Sequence, residues 1–160
     1  MPKYYWDACI WIELIKQTNA DRTECCRHVY EEAKKSKVEI WTSTFTLAEV
    51  WKKKCYENHI GIPEKKDGAF EDLIESDLIK KINVNVDIGN LARRLLRKHP
   101  RIGKPQDAIH VASCIYADLD ELHTFDNKDL LRFDGKLLCQ NNTKLKICVP
   151  PSPMQGELNI

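Results

Sequence analysis

Asp7, Glu49, Asp107 and Asp126 are four carboxylates set in four separate, readable pieces of chain. Asp7 ends the aromatic run Tyr4-Tyr5-Trp6 and opens Ala8-Cys9-Ile10-Trp11-Ile12-Glu13-Leu14-Ile15, where a strand hands over to a helix. Glu49 lies inside Thr44-Phe45-Thr46-Leu47-Ala48-Glu49-Val50-Trp51, and Asp107 opens Asp107-Ala108-Ile109-His110-Val111-Ala112-Ser113. Asp126 follows a short strand in His123-Thr124-Phe125-Asp126-Asn127-Lys128-Asp129. Hard divalent cations such as magnesium take oxygen ligands, commonly one or two carboxylates together with waters and substrate phosphates. Four acids converging from distant segments would suit one or two such ions. Such ions can activate a bound water and compensate charge on a leaving oxygen.

Each acid also has an ordinary explanation. Asp7 reads equally as the N-cap of the helix it precedes. Glu49 is spaced to pair with Lys53 at i,i+4, although it also lies about 100° round the helix from a stripe through Ala48, Trp51 and Cys55. Asp107 suits the positive end of a helix dipole, beside the apolar stripe Ala108-Val111-Ala112-Ile115. Asp126 and Asp129 suit a turn. Four independent coincidences weigh less than one shared site.

The elements that must position these acids follow from apolar patterning. Strands are expected at Lys3–Trp6, Val38–Trp41, Ile79–Val84, Glu121–Thr124 and Lys146–Cys148. Helices are expected at Ala8–Lys16, Asp21–Lys35 with Asp21 as its cap, Phe45–Tyr56, Glu64–Ser76, Val86–Lys98 and Pro105–Asp118. Pro105 fits the first turn of the last helix, and His99-Pro100 ends the one before it. Strands alternating with helical crossovers imply an α/β domain: about five mostly parallel strands, with helices on both faces. In such sheets the functional crevice lies beyond the strand carboxyl ends, where Asp7 and Asp126 both fall.

Composition narrows the class. A chain of 160 residues makes one domain most simply, and at 42% hydrophobic and 31% charged it can bury a core and stay soluble. No apolar run approaches the roughly 20 residues that span a membrane, and the amino terminus lacks the pattern of a secretory signal. The seven cysteines have no paired spacing, which suggests free thiols in a reducing cytoplasm. Cys25-Cys26 with His28, and Cys55 with His59, lack the tight four-ligand spacing of a structural zinc site. The net charge of +1 means that any nucleic-acid surface must be local. The local candidate is Arg93, Arg94, Arg97, Lys98, Arg101 and Lys104, just upstream of Asp107. This run reads either as a solvated helix face or as a set of contacts to RNA phosphates.

The order and wording of the acidic motifs resemble the PIN-domain nucleases, and within them the VapC-like toxin ribonucleases. The first acid matches Asp7. Ser43, Thr46 and Glu49 match a Ser-x-x-Thr-x-x-Glu pattern, Asp107 matches the third acid, and Thr124, Asp126 and Asp129 match a final Thr-x-Asp-x-x-Asp pattern. The resemblance spans roughly Lys3 to Val149, leaving 150–160 as an extended C-terminal tail. It implies a magnesium- or manganese-dependent endoribonuclease whose Asp7, Glu49, Asp107 and Asp126 hold the ions, with Asp129 as accessory ligand. Ser43, Thr46 and Thr124 would be supporting hydroxyls. It further implies products with 5′-phosphate and 3′-hydroxyl ends, a homodimer, and a small antitoxin partner. His110, one turn after Asp107, is expected to be packed or surface-bound, outside the chemistry.

Two rival functions stand beside this one. A non-cleaving RNA-binding or scaffold protein would keep the fold, and loss of a site acid would favour it; none is lost. A receiver-like phosphoacceptor domain needs an adjacent acidic pair after the first strand, which Tyr5-Trp6-Asp7-Ala8 does not supply.

Overall fold

Tyr5 and Trp6 are neighbours on one strand, and both are wholly buried. Successive strand side chains point to opposite faces, so a strand buried on both sides belongs inside a layered sheet. The computed structural model describes residues 1–50 and 62–153. Its strands β1 (Lys3–Trp6), β2 (Glu39–Ser43), β3 (Ile79–Ile82), β4 (Glu121–His123) and β5 (Lys146–Cys148) form one sheet in the order β3-β2-β1-β4-β5. Every pairing is parallel, so the expected mostly parallel sheet is wholly parallel among the described strands.

Helices α1 (Ala8–Lys16), α2 (Ala20–Lys34), α3 (Thr44–Val50), α4 (Glu64–Glu75), α5 (Val86–Lys98) and α6 (Pro105–Tyr116) supply the crossovers. One core layer joins Tyr5, Leu122 and Ile147 of the sheet to Ile88 and Leu95 of α5 and Val111 and Ile115 of α6. The other joins Trp6, Ile40 and Ile79 to Ile10, Val29, Phe70 and Ile74 of α1, α2 and α4. The stripe expected along the last helix, Ala108-Val111-Ala112-Ile115, is buried throughout.

Two local expectations need correction. The second helix begins one residue before Asp21: Asn19 is the cap, its side chain accepting from Arg22 N at 3.1 Å. Asparagine caps as well as aspartate. The buried Glu13 carboxylate fixes this chain entry, accepting from Asn19 N at 2.8 Å and from Thr23 Oγ1 at 2.7 Å. On α3, Ala48 is exposed while Thr46 and Val50 are buried, so the packed face is rotated away from the anticipated stripe. Lys53, Cys55 and His59, and the end of the helix expected to reach Tyr56, lie outside the described residues.

Strand β1 has β2 on one side and β4 on the other, while the chain visits β2 and β3 before β4. The order therefore reverses between β1 and β4. That switch point opens a crevice beyond the strand carboxyl ends, and Asp7 and Thr124 are the first residues past those two strands.

Candidate metal centre at the sheet edge

Pro105 opens α6, and Asp107 sits in its first turn, where a carboxylate is favoured by the aligned peptide dipoles. One oxygen of Asp107, Oδ2, is buried without a hydrogen-bond partner among the described residues. Asp107, Asp126 and Asp129 each bring a carboxylate oxygen to within 4.8 Å of the others. Burial pushes the Asp107 carboxyl up to about 6. The negative charges of Asp126 and Asp7 add to that shift, against the positive charges of Lys104 and His110. A half-buried acid with one buried, unpaired oxygen beside two more carboxylates is unfavourable without a counter-charge. Three hard oxygen donors in one place fit magnesium or manganese.

The turn after β4 is built to hold these acids still. Asp126 N donates to Thr124 Oγ1 at 3.0 Å, and Asp126 Oδ1 accepts from Lys128 N and Asp129 N, each at 3.0 Å. Side-chain acceptance of amides two and three residues on is the usual aspartate turn device. Here it also fixes the spacing between two of the three acids. A Cβ built on Gly103 would lie 3.6 Å from both oxygens of Asp129, so the turn between α5 and α6 runs against the cluster.

Asp7 is buried and combines the two roles that its sequence context left open. Its Oδ1 caps α1, accepting from Cys9 N at 3.0 Å and Ile10 N at 3.3 Å, and Cys9 Sγ lies 2.7 Å from the same oxygen. Burial raises its carboxyl, opposed by the charge of His110 and by hydrogen bonds from Cys9 and Thr124. Asp7 does not join the tight group of three among the described residues, yet its charge is felt at Asp107.

Glu49 is held from behind. Its Oε2 lies 2.6 Å from His110 Nε2, while His110 Nδ1 lies 2.7 Å from Tyr5 Oη. Tyr5 Oη donates onward to Ser43 Oγ at 2.9 Å. The Glu49 carboxylate accepts from Nε2, and the direction of the Nδ1–Tyr5 hydrogen bond follows the protonation of the ring. Burial alone would lower the His110 pKa. The Glu49 hydrogen bond and the charges of Glu49, Asp7 and Asp107 outweigh it, and the net direction is up.

The hydroxyls divide accordingly. Thr124 touches the acids through Asp126 and Asp7. Ser43 and Thr46 are fully buried, and their hydrogen-bond partners are Tyr5 and Thr42. Their reach to the acids is therefore indirect, through Tyr5 and His110. The basic run divides too. The charge of Lys104 acts on Asp107 directly, and Arg101 is exposed on the same Gly103 turn. Arg93, Arg94, Arg97 and Lys98 are exposed along α5. Arg94 and Lys98, together with Lys136, line a groove floored by Leu95 and Ile115, and none of the acids lines it.

Sequence reasoning set His110 aside and gave no role to Tyr5 or Cys9. The signal for His110 was its position three residues after Asp107, which places both on one helix face.

Comparison with known proteins agrees with this geometry. The sequence model of the PIN domain matches residues 4–136. Among curated proteins, no sequence matches the chain. Solved structures share the fold, three of them as follows. The Mycobacterium tuberculosis VapC20 toxin, described as cleaving the sarcin-ricin loop, is 20% identical with a TM-score of 0.61, over 77% of this chain and 89% of that one. Rickettsia felis VapBC2, bound to a fragment of promoter DNA, is 16% identical with a TM-score of 0.59, over 91% and 98%. A Klebsiella pneumoniae toxin–antitoxin complex is 18% identical with a TM-score of 0.61, over 93% and 98%. With the family's sequence model covering most of its 160 residues, this chain belongs to the PIN-domain family.

Proposed function

We propose that this chain is a magnesium- or manganese-dependent endoribonuclease, the toxin of a toxin–antitoxin pair. Residues 1–149 would be the nuclease domain and 150–160 a tail. The observation that carries this reading is the convergence of Asp107, Asp126 and Asp129 around the unpartnered, buried Asp107 Oδ2. These three would hold the cation together with Asp7 and Glu49. Bound there, the cation supplies activation of water and compensation of charge at the departing 3′ oxygen.

The remaining work belongs to the chain. The Thr124–Asp129 turn keeps two carboxylates at fixed spacing before substrate arrives. His110 holds Glu49 in one orientation and offsets part of the negative charge. Lys104 and Arg101 bind backbone phosphates next to the acids, while Arg93, Arg94, Arg97 and Lys98 extend the track along α5 without reading bases. The toxin assignment is supported by the fold shared with the VapC20 toxin and the two toxin–antitoxin assemblies. On that reading the chain works in the cytoplasm as a homodimer, and a small antitoxin blocks the acidic crevice. No described helix is long and apolar enough to cross a membrane.

The test is incubation of the purified protein with mixed single-stranded and structured RNAs, in magnesium, manganese or chelator, followed by end mapping. Cleavage only with metal, leaving 5′-phosphate and 3′-hydroxyl ends, supports the proposal. Tight RNA binding with no cleavage in either metal would favour a scaffold protein.

A further inference from the structure

A second cluster of ligand-type side chains lies on the face of the sheet, away from the acidic turn. Strand alternation puts Glu121 and His123 of β4 on one face with Lys146 and Cys148 of β5. Register sets Glu121 beside Lys146 and His123 beside Cys148. The same face carries Tyr4 and Trp6, paired with Glu121 and His123. Glu121 Oε1 is taken by Lys146 Nζ at 2.9 Å. Its Oε2 is the shared acceptor of the group, 3.0 Å from His123 Nε2 and 3.4 Å from Cys148 Sγ. One ligand atom from each of Glu121, His123 and Cys148 lies within 4.8 Å of the other two.

We propose that Glu121, His123 and Cys148 form a binding site for a zinc-class divalent cation, separate from the acidic centre. The spacing carries the argument. Zinc bonds of about 2.0 Å to oxygen and nitrogen and 2.3 Å to sulfur, at tetrahedral angles, separate oxygen from nitrogen by about 3.3 Å and oxygen from sulfur by about 3.5 Å. The observed 3.0 and 3.4 Å fall short by only a few tenths of an ångström. Thiolate with imidazole selects a softer ion than the oxygen-only cluster of Asp107, Asp126 and Asp129. Three protein ligands leave a fourth position for water or a further donor. Access is from the sheet edge: β5 is the outermost strand, and Glu121 and Cys148 are both partly exposed.

Protons balance as follows. The thiol proton leaves to solvent, since the coordinating sulfur is a thiolate. Trp6 Nε1 now donates to His123 Nδ1 at 3.2 Å, so the neutral ring carries its proton on Nε2. Ligation through Nε2 moves that proton to Nδ1, where it opposes the Trp6 N–H, so the indole and imidazole must turn apart when the ion binds, a cost set against the metal–ligand bonds. The bound ion would then tie edge strand β5 to β4, immediately before the turn that holds Thr124 and Asp126.

Cobalt(II) is the probe, because a cobalt–thiolate bond gives a near-ultraviolet charge-transfer band that carboxylates cannot. Titrating the full chain should give that band at one ion per chain, with zinc displacing the cobalt. Asp107→Asn and Asp126→Asn should leave it intact. Cys148→Ser should abolish it, and His123→Gln should weaken zinc binding by about 10- to 100-fold or more. On the unmutated protein, zinc should slow alkylation of Cys148 at least about 10-fold, read by peptide mass mapping. No thiolate band, a band that survives Cys148→Ser, or zinc-independent alkylation of Cys148 would each overturn the site.

Discussion

Glu49 on α3 and His110 on α6 meet at 2.6 Å, sixty-one positions apart in the chain. The contact connects one candidate ligand to the interior through Tyr5 and Ser43. A surface-paired Glu49 would be free to move, whereas this one is fixed by a buried imidazole that is itself hydrogen-bonded at both ring nitrogens.

That arrangement sets the cost of breaking it. Removing one member of a buried charged pair costs about 3–5 kcal/mol, because the survivor stays desolvated. His110→Ala should therefore lower unfolding free energy by an amount near the low end of that range, since Glu49 retains some solvent contact. Tyr5→Phe removes a neutral hydroxyl that bonds both Ser43 and His110 and should cost about 1–2 kcal/mol. Urea denaturation of both variants measures the difference. Equal, sub-kilocalorie effects would mean that the chain of contacts contributes nothing to stability.

The burial of Asp107, with repulsion from Asp126 added to it, should be visible without metal. The Asp107 carboxyl stands near 6 in the native protein, against about 4 in an unfolded chain. Between about pH 4 and 6 the native state keeps a proton that the unfolded state has lost, so this group's contribution to stability falls as pH rises. Above pH 6 the penalty is complete, at about 1–2 kcal/mol once solvent screening of this partly exposed residue is allowed for. Asp107→Asn should remove the penalty, melting about 2–8 °C higher than wild type at pH 7 in chelator and equally at pH 4.

Magnesium should reverse that ranking. At 100 times its Kd, an ion that binds only the native state stabilises it by about 2.7 kcal/mol. The wild type should gain that amount and Asp107→Asn clearly less. Melting curves with and without magnesium give the double difference. Identical magnesium responses would remove Asp107 from the cluster.

The basic residues should separate by position. Arg94→Ala combined with Arg97→Ala should weaken RNA binding and flatten its salt dependence by about 0.7 for each lost phosphate contact, leaving the rate at saturating RNA unchanged. Lys104→Ala should do the same and also raise the Asp107 pKa further, because its charge opposes that shift. Filter binding across a salt series, with single-turnover rates, distinguishes the two. An unchanged slope in the double variant would place the α5 face away from RNA.

How much of this could be read from residues alone depends on distance along the chain. Asp7, Asp107 and Asp126 were legible because each adjoins a pattern that a strand or helix must make. The Pro105 start of α6 and the Val86–Lys98 helix were legible for the same reason. The Glu49–His110 contact was not, because nothing local to either residue announces a partner on another helix. The cap at Asn19 was missed because Asn19 and Asp21 cap equally well, and Glu13, six residues upstream of Asn19, decides between them. Glu121, His123 and Cys148 were hidden differently. Zinc-like signals are sought as short cysteine pairs, and this group is spread over two strands that only the sheet register brings together.

The most direct test of the central claim is cleavage of a single-stranded RNA under single-turnover conditions by wild type, Asp7→Asn and Asp107→Asn, each with magnesium and with chelator. Loss of an ion-holding acid should remove several kcal/mol of transition-state stabilisation, or about 100-fold or more in rate. The account predicts rapid cleavage by wild type in magnesium alone, and at least that loss in both variants while their folded spectra persist. Wild-type rates that survive chelation, or full activity in either folded variant, would contradict it.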